Sequence, residues 1–191
     1  YRINALPAKT WYQLNMNDTR LLWDDNLVPC DMDTKGCDKV CLDVNAKDYS
    51  DIENAVLTGA GKEADVLFEA GVTNTLLVNA DKETNGQTLY INVNGNDKSQ
   101  SGKIIVNVED NVTFTIIENF KGESSTEGRV ALRTLIDTGL NSKVRLIQVY
   151  MQPESIDVLS DTGCRLSDNA SFEIVQVFVG NDGGVDALLQ M

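Results

Sequence analysis

The sequence predicts a mainly β chain folded as a parallel β-helix, a column of short stacked strands, behind a small helical and irregular N-terminal part. Three observations carry that expectation. From about residue 74 the chain is a series of short β-branched runs separated by Gly, Asn and Asp clusters. No helical pattern long enough to serve as a crossover lies between them, which excludes an alternating α/β sheet. Finally, Asn141-Ser142-Lys143-Val144-Arg145-Leu146-Ile147-Gln148-Val149-Tyr150-Met151 aligns without gaps on Asn169-Ala170-Ser171-Phe172-Glu173-Ile174-Val175-Gln176-Val177-Phe178-Val179, an offset of 28 residues. A unit of that size is one coil of a solenoid.

The elements follow in order. Residues 1–72 form the helical and loop segment. Thr10 is a candidate N-cap for a turn of helix through Leu14, and Leu21-Leu22-Trp23 is a small apolar cluster. Residues 29–41 hold three cysteines among Asp, Lys and Gly and read as a loop. Asp48 or Ser50 caps a short helix through Leu57, which Gly59-Ala60-Gly61 ends, and residues 62–70 give a further turn or two. Residues 73–191 form the β-helix, with strands expected at 75–78, 88–93, 103–108, 112–118, 130–136, 144–151, 155–159 and 172–179.

Stacking equivalent residues about 4.8 Å apart gives the repeat a chemical meaning. Arg145 lies over Glu173 as an outward ion pair, Gln148 over Gln176 as an amide ladder, and Asn141 over Asn169 at equivalent turns. Val144/Phe172, Leu146/Ile174 and Tyr150/Phe178 fill one face. The other face carries Ile147, Val149 and Met151 over Val175, Val177 and Val179, so a terminal segment, further chain or a partner should cover it. Upstream, Leu135-Ile136-Asp137-Thr138-Gly139 matches Leu159-Ser160-Asp161-Thr162-Gly163 at an offset of 24, which implies four extra residues in the turn of the second copy.

Composition narrows the function. Sixteen Lys and Arg against 29 Asp and Glu give a net charge of -13, a surface that repels phosphate backbones and anionic lipid, so neither nucleic acid nor a membrane is an expected partner. No apolar run reaches the roughly 18 residues of a membrane span. The chain has no histidine, which removes Ser-His-Asp and Cys-His chemistry from it. Four cysteines are too sparse for a disulfide framework, so they are expected reduced and the protein cytoplasmic. Cys30, Cys37 and Cys41 are weak metal candidates, with Cys164 a distant fourth: the Cys-x2-Cys knuckle is missing, and the interleaved Asp31, Asp33 and Asp38 disfavour thiolates. Cys164 reads as a small buried hydrophobe.

Three other motifs have plain readings. Asp-Thr-Gly at 137–139 and 161–163 is the tripeptide of aspartic proteases, but one repeat is no lobe, and β-turn chemistry explains both copies. Gly59-Ala60-Gly61-Lys62 lacks phosphate-loop spacing. Glu118 ends a run and reads as a solvated strand end.

Several stretches resemble one family. Asp110-Asn111-Val112-Thr113-Phe114-Thr115-Ile116-Ile117-Glu118, then residues 130–152, then Asp168-Asn169-Ala170-Ser171-Phe172 to Gly180, resemble the SufB/SufD family of iron–sulfur cluster assembly proteins. The matching positions are Glu118, Gln152 (or Gln148) and Gly180. Asn4-Ala5-Leu6-Pro7-Ala8-Lys9-Thr10-Trp11 and Gly59-Ala60-Gly61-Lys62-Glu63-Ala64-Asp65 resemble its shorter SufD-like members. The resemblance implies a right-handed parallel β-helix. It also implies homodimers or SufB–SufD heterodimers that bind a SufC-type ATPase and help build a nascent cluster. The family's SufC-binding helices and cluster-site His and Cys would lie C-terminal to this sequence, and Asn181-Asp182-Gly183-Gly184 departs from its pattern.

The expected function is therefore a non-catalytic scaffold subunit of a SUF-type complex. It holds no cofactor of its own, although the full complex carries a transient iron–sulfur cluster. The chain begins at Tyr1 and stops at Met191 after an apolar stretch, which reads as a truncated member. The rival is a secreted or surface β-solenoid, an adhesin or a polysaccharide-active β-helix with a Glu/Asp pair.

Overall fold

Consecutive strands alternate between two sheets, so every turn of the chain adds one parallel strand to each. The computed structural model describes residues 2–3, 19–20, 23, 26–42, 49–69, 74–123, 127–179 and 185–190. The N-terminal elements are β1 (Arg2–Ile3), β2 (Thr19–Arg20), β3 (Val28–Pro29), β4 (Asp31–Lys35), β5 (Val40–Leu42), α1 (Ser50–Ala55) and α2 (Lys62–Glu69). The column follows: β6 (Asn74–Ala80), β7 (Thr88–Gly95), β8 (Ser99–Val108), β9 (Thr113–Gly122), β10 (Gly128–Thr138), β11 (Lys143–Tyr150), β12 (Ile156–Arg165), β13 (Ser171–Phe178) and β14 (Val185–Gln190). The first sheet runs β14-β12-β10-β8-β6-β5 and the second β13-β11-β9-β7-β4. The parallel strands make a β-solenoid of about four turns.

All eight predicted runs are strands, and the predicted stacking holds. β11 and β13 pair in parallel with Asn141-to-Asn169 spacing carried through Lys143↔Ser171 to Tyr150↔Phe178. Arg145 Nε donates to Glu173 Oε2 at 2.7 Å, and Gln176 Nε2 donates to Gln148 Oε1 at 2.9 Å. Asn141 and Asn169 both hold positive φ, 56° and 59°, and Asn111 one coil earlier does the same at 62°. Asn tolerates that left-handed turn because its short amide bonds locally. Phe120, Tyr150 and Phe178 stack face to face, with ring centroids 4.8 Å apart at each step. Inward residues of both sheets meet in one core that includes Leu76, Val106, Ile136, Ile116, Leu146 and Phe114.

The 24-residue offset is corrected. β12 lies on β10 with Leu135↔Gly163 and Asp137↔Arg165, a spacing of 28, so the second copy has no extra turn residues. The first Asp-Thr-Gly ends β10 and enters a turn, as turn chemistry requires, but the second is inside β12. Gly163 serves there as a landing place. A Cβ at this position would stand 2.3 Å from the Leu57 carbonyl oxygen and 2.9 Å from Val56 Cγ1, so only glycine lets the α1–α2 linker lie against the strand. Gly163→Ala is expected to cost about 1–3 kcal/mol through overpacking, read as a lower urea midpoint.

The predicted cysteine loop is also corrected. β4 pairs antiparallel with β7 and β5 antiparallel with β6, closing the N-terminal edge of both sheets. An unpaired sheet edge is a liability, and these two short strands cover it. Helix α1 begins at Ser50, but its cap position is Tyr49, which makes no side-chain cap bond; Asp48 lies outside the described residues, as do Thr10, Leu14, Leu21 and Leu22.

The helices settle which outer face is covered. Ala60, Ala64, Leu67 and Phe68 pack on Ala131 and Leu159, while Tyr49, Val56 and Ile52 pack on Leu77, Ile105 and Leu135. All of these partners belong to the first sheet. The outer face of the second sheet, where the apolar residues 147, 149, 151, 175, 177 and 179 had called for a cover, is not the one these helices occupy.

Candidate functional site

A polar column rises through the mostly apolar interior toward the last coil. In the second sheet Ile91, Glu118, Gln148 and Gln176 stack in register. The first coil is apolar at this level, and polarity starts with Glu118. Across from it stand Thr134, Ser160 and Thr162 of the first sheet. Thr134 Oγ1 donates to Glu118 Oε1 at 2.7 Å, and Gln148 Nε2 donates to Glu118 Oε2 at 2.8 Å and to Ser160 Oγ at 2.9 Å. Tyr150 Oη donates to Gln148 Oε1 at 3.1 Å, the same oxygen that receives Gln176. None of the column's buried polar atoms lacks a partner.

Glu118 is thus no solvated strand end. β9 continues to Gly122, and the glutamate falls on the inward parity with Phe114, Ile116 and Phe120; its exposure is 0%. Burial pushes its pKa up, and the bonds from Thr134 and Gln148 pull less strongly the other way. Among the described residues no ion pair involves it. Burial likewise raises the Tyr150 phenol. The column is a hydrogen-bonded ladder around a carboxyl group sealed from solvent. Of the two Gln positions matched to the family, Gln148 is in the column, while Gln152 is buried just beyond the end of β11. Gly180 lies outside the described residues.

Among the described residues the column ends at an open coil. β14 adds a strand to the first sheet beyond β12, but among the described residues no strand pairs with the far edge of β13. Phe172 and Ile174 of β13 are half-buried against the core, but toward the end of the strand Phe178 is 58% exposed although its ring stacks on Tyr150, and Gln176 is exposed as well.

The outer face of the first sheet carries a ladder that the sequence reading missed. Arg133 NH2 reaches Asp161 Oδ2 at 2.8 Å and Asp65 Oδ1 of α2 at 2.8 Å, and its guanidinium lies 4.3 Å from the Phe68 ring centroid. Arg165 Nε donates to Asp137 Oδ1 at 2.7 Å, and Arg129 approaches Asp157 at 3.8 Å. Both Asp-Thr-Gly carboxylates are thus taken by arginines on different levels, which rules out a facing pair around one proton. The signal was present: the 28-residue step, applied to this strand, sets Arg129, Arg133 and Asp137 against Asp157, Asp161 and Arg165.

Cys30 and Cys164 are buried free thiols, each pushed up to about 12 by burial first and by a neighbouring carboxylate, Asp31 or Asp137, second. Cys37 is free and packs against the main core, and the backbone of Cys41 pairs with Leu77. Among the described residues no three His, Cys, Asp or Glu side chains are grouped as a metal site.

Fold and site together define a short parallel β-solenoid with a polar interior column. No protein-family model, curated protein or solved structure matches the chain. No helix among the described residues is long and apolar enough to cross a membrane.

Proposed function

We propose that this chain is a non-catalytic scaffold of the SUF iron–sulfur assembly type. Its open coil receives a sister SufB/SufD-type subunit, and the pair works with a SufC-type ATPase in the cytoplasm. The observation that carries this reading is the far edge of β13, with which no strand pairs among the described residues and where Phe178 and Gln176 are exposed. Strand addition to such an edge supplies main-chain hydrogen bonds, and the uncovered inward side chains select what lies above them. The sequence resemblance adds support, because Glu118, which it matched, and Gln148, its alternative to Gln152, are hydrogen-bonded to each other. A nascent cluster is cargo of the assembled complex; this chain contributes surfaces.

The test is co-expression of the full-length protein with a SufB/SufD-type subunit and a SufC-type ATPase. The wild type is expected to co-purify with both. Phe178→Lys with Gln176→Lys should lose the sister subunit while the thermal midpoint stays within a few degrees, since both side chains lie at the exposed end. If the wild type associates with neither protein, and deletion leaves cluster-enzyme activity intact, the reading fails. Export of the full-length protein would instead choose the secreted β-solenoid.

A further inference from the structure

We propose that the outer face of the second sheet is a docking surface for an acidic amphipathic helix of another protein. Tyr90, Ile117, Ile147 and Val175 stack in register across four strands, and Val149 and Val177 widen the strip beside them. Tyr90 is 43% exposed, Val175 38% and Val177 40%. A continuous apolar strip of this kind on a chain with net charge -13 marks a contact surface.

The charge around the strip is the reverse of the molecule's. The outward charged residues of β7, β9, β11 and β13 are Lys121, Lys143, Arg145 and Glu173. β4 adds Asp31, Asp33 and Lys35. The sheet's outer face is thus slightly cationic where the rest of the surface is strongly anionic, so it attracts acidic partners, and the same face of a second copy, which carries the same charge, is a poor occupant.

The first sheet shows what covers such a face. Its outer side also combines an apolar strip with cations, and it is covered by α1 and α2, whose apolar faces pack down while Glu53 holds Lys103 at 2.6 Å and Asp65 holds Arg133 at 2.8 Å. Apolar column plus cation is matched there by apolar stripe plus acid. The second sheet presents the same half of that arrangement, and the inference does not depend on the open coil at β13.

The probe is a synthetic helical peptide of about 18 residues, roughly five turns, with a Leu stripe flanked by Glu, compared with the same stripe flanked by Lys. Fluorescence anisotropy on the full chain should show saturable binding of the Glu peptide, about tenfold or more tighter than the Lys peptide and weaker in high salt. Ile147→Glu with Val175→Glu should abolish it, and Lys143→Glu should weaken it and flatten the salt dependence, with circular dichroism unchanged. Equal affinity for both peptides, or binding of neither by folded protein, overturns the proposal. So does self-association in sedimentation that Ile147→Glu relieves, which would assign the face to a second copy.

Discussion

Replacing Arg133 with Met is expected to destabilise the protein by about 3–5 kcal/mol, the range for removing one partner of a buried ion pair. The reason is what stays behind. The Asp161 side chain is 0% exposed and would keep only the Ala60 amide at 3.3 Å. Asp65 loses its partner and Phe68 its cation at the same time, so α2 is held to the column by apolar contact and by the Ser101 hydroxyl, which donates to the Leu67 carbonyl at 2.9 Å. The control separates the cost of a stranded charge from the worth of the pair: Arg133→Met with Asp161→Leu should recover most of the loss, because apolar replacement of both partners is often neutral. Urea unfolding of both variants checks this. A single variant that loses less than about 1 kcal/mol would show that water reaches Asp161 and that the ladder is a surface feature.

How much of this was legible depends on what the sequence can encode locally. The strands were, because their period and the Gly and Asn turns between them are local properties. The β11–β13 register was also legible, since Arg145/Glu173 and Gln148/Gln176 repeat at one spacing. The adjoining register was misread, because the near-identical strings at 135–139 and 159–163 outweighed charge complementarity, whereas the pairing of β10 with β12 sets this step at 28. Identity of letters is weaker than the constraint that a coil must close on itself. β4 and β5 were unreadable for another reason: they are strands only because the first coil offers them an edge. Glu118 was lost to a boundary. Ending its strand at the first charge turned it outward, whereas the 30-residue step to Gln148 places it inside.

That buried carboxyl sets the second large effect. Glu118→Gln is expected to make the protein more stable above pH 4.5 and to flatten its loss of stability with rising pH. The folded-state pKa of Glu118 is raised above the ordinary value of 4.5, chiefly by burial. A raised carboxyl pKa means that the folded state holds the proton more tightly than the unfolded chain does. Its contribution is complete below the unfolded pKa and is lost as pH rises toward the folded one, at up to about 1.4 kcal/mol per pH unit. Glutamine has no such slope and fits the same partners: its oxygen can accept from Gln148 Nε2 and its amide can donate to Thr134 Oγ1, extending the Gln148–Gln176 ladder by one rung. At pH 4 the two proteins should differ by less than about 1 kcal/mol, and by pH 8 the variant should lead by about 1–3 kcal/mol, the range for relieving a buried polar group. Taking the difference between variant and wild type removes the opposite slope of surface carboxylates such as Asp33 and Asp81, whose pKa values are lowered by their hydrogen-bond partners. Chemical denaturation at pH 4, 6 and 8 reads the result directly. Parallel profiles would mean that Glu118 ionises as freely as in the unfolded chain, so that the interior column admits water, and the sealed ladder would have to be replaced by a solvated channel leading to the open coil.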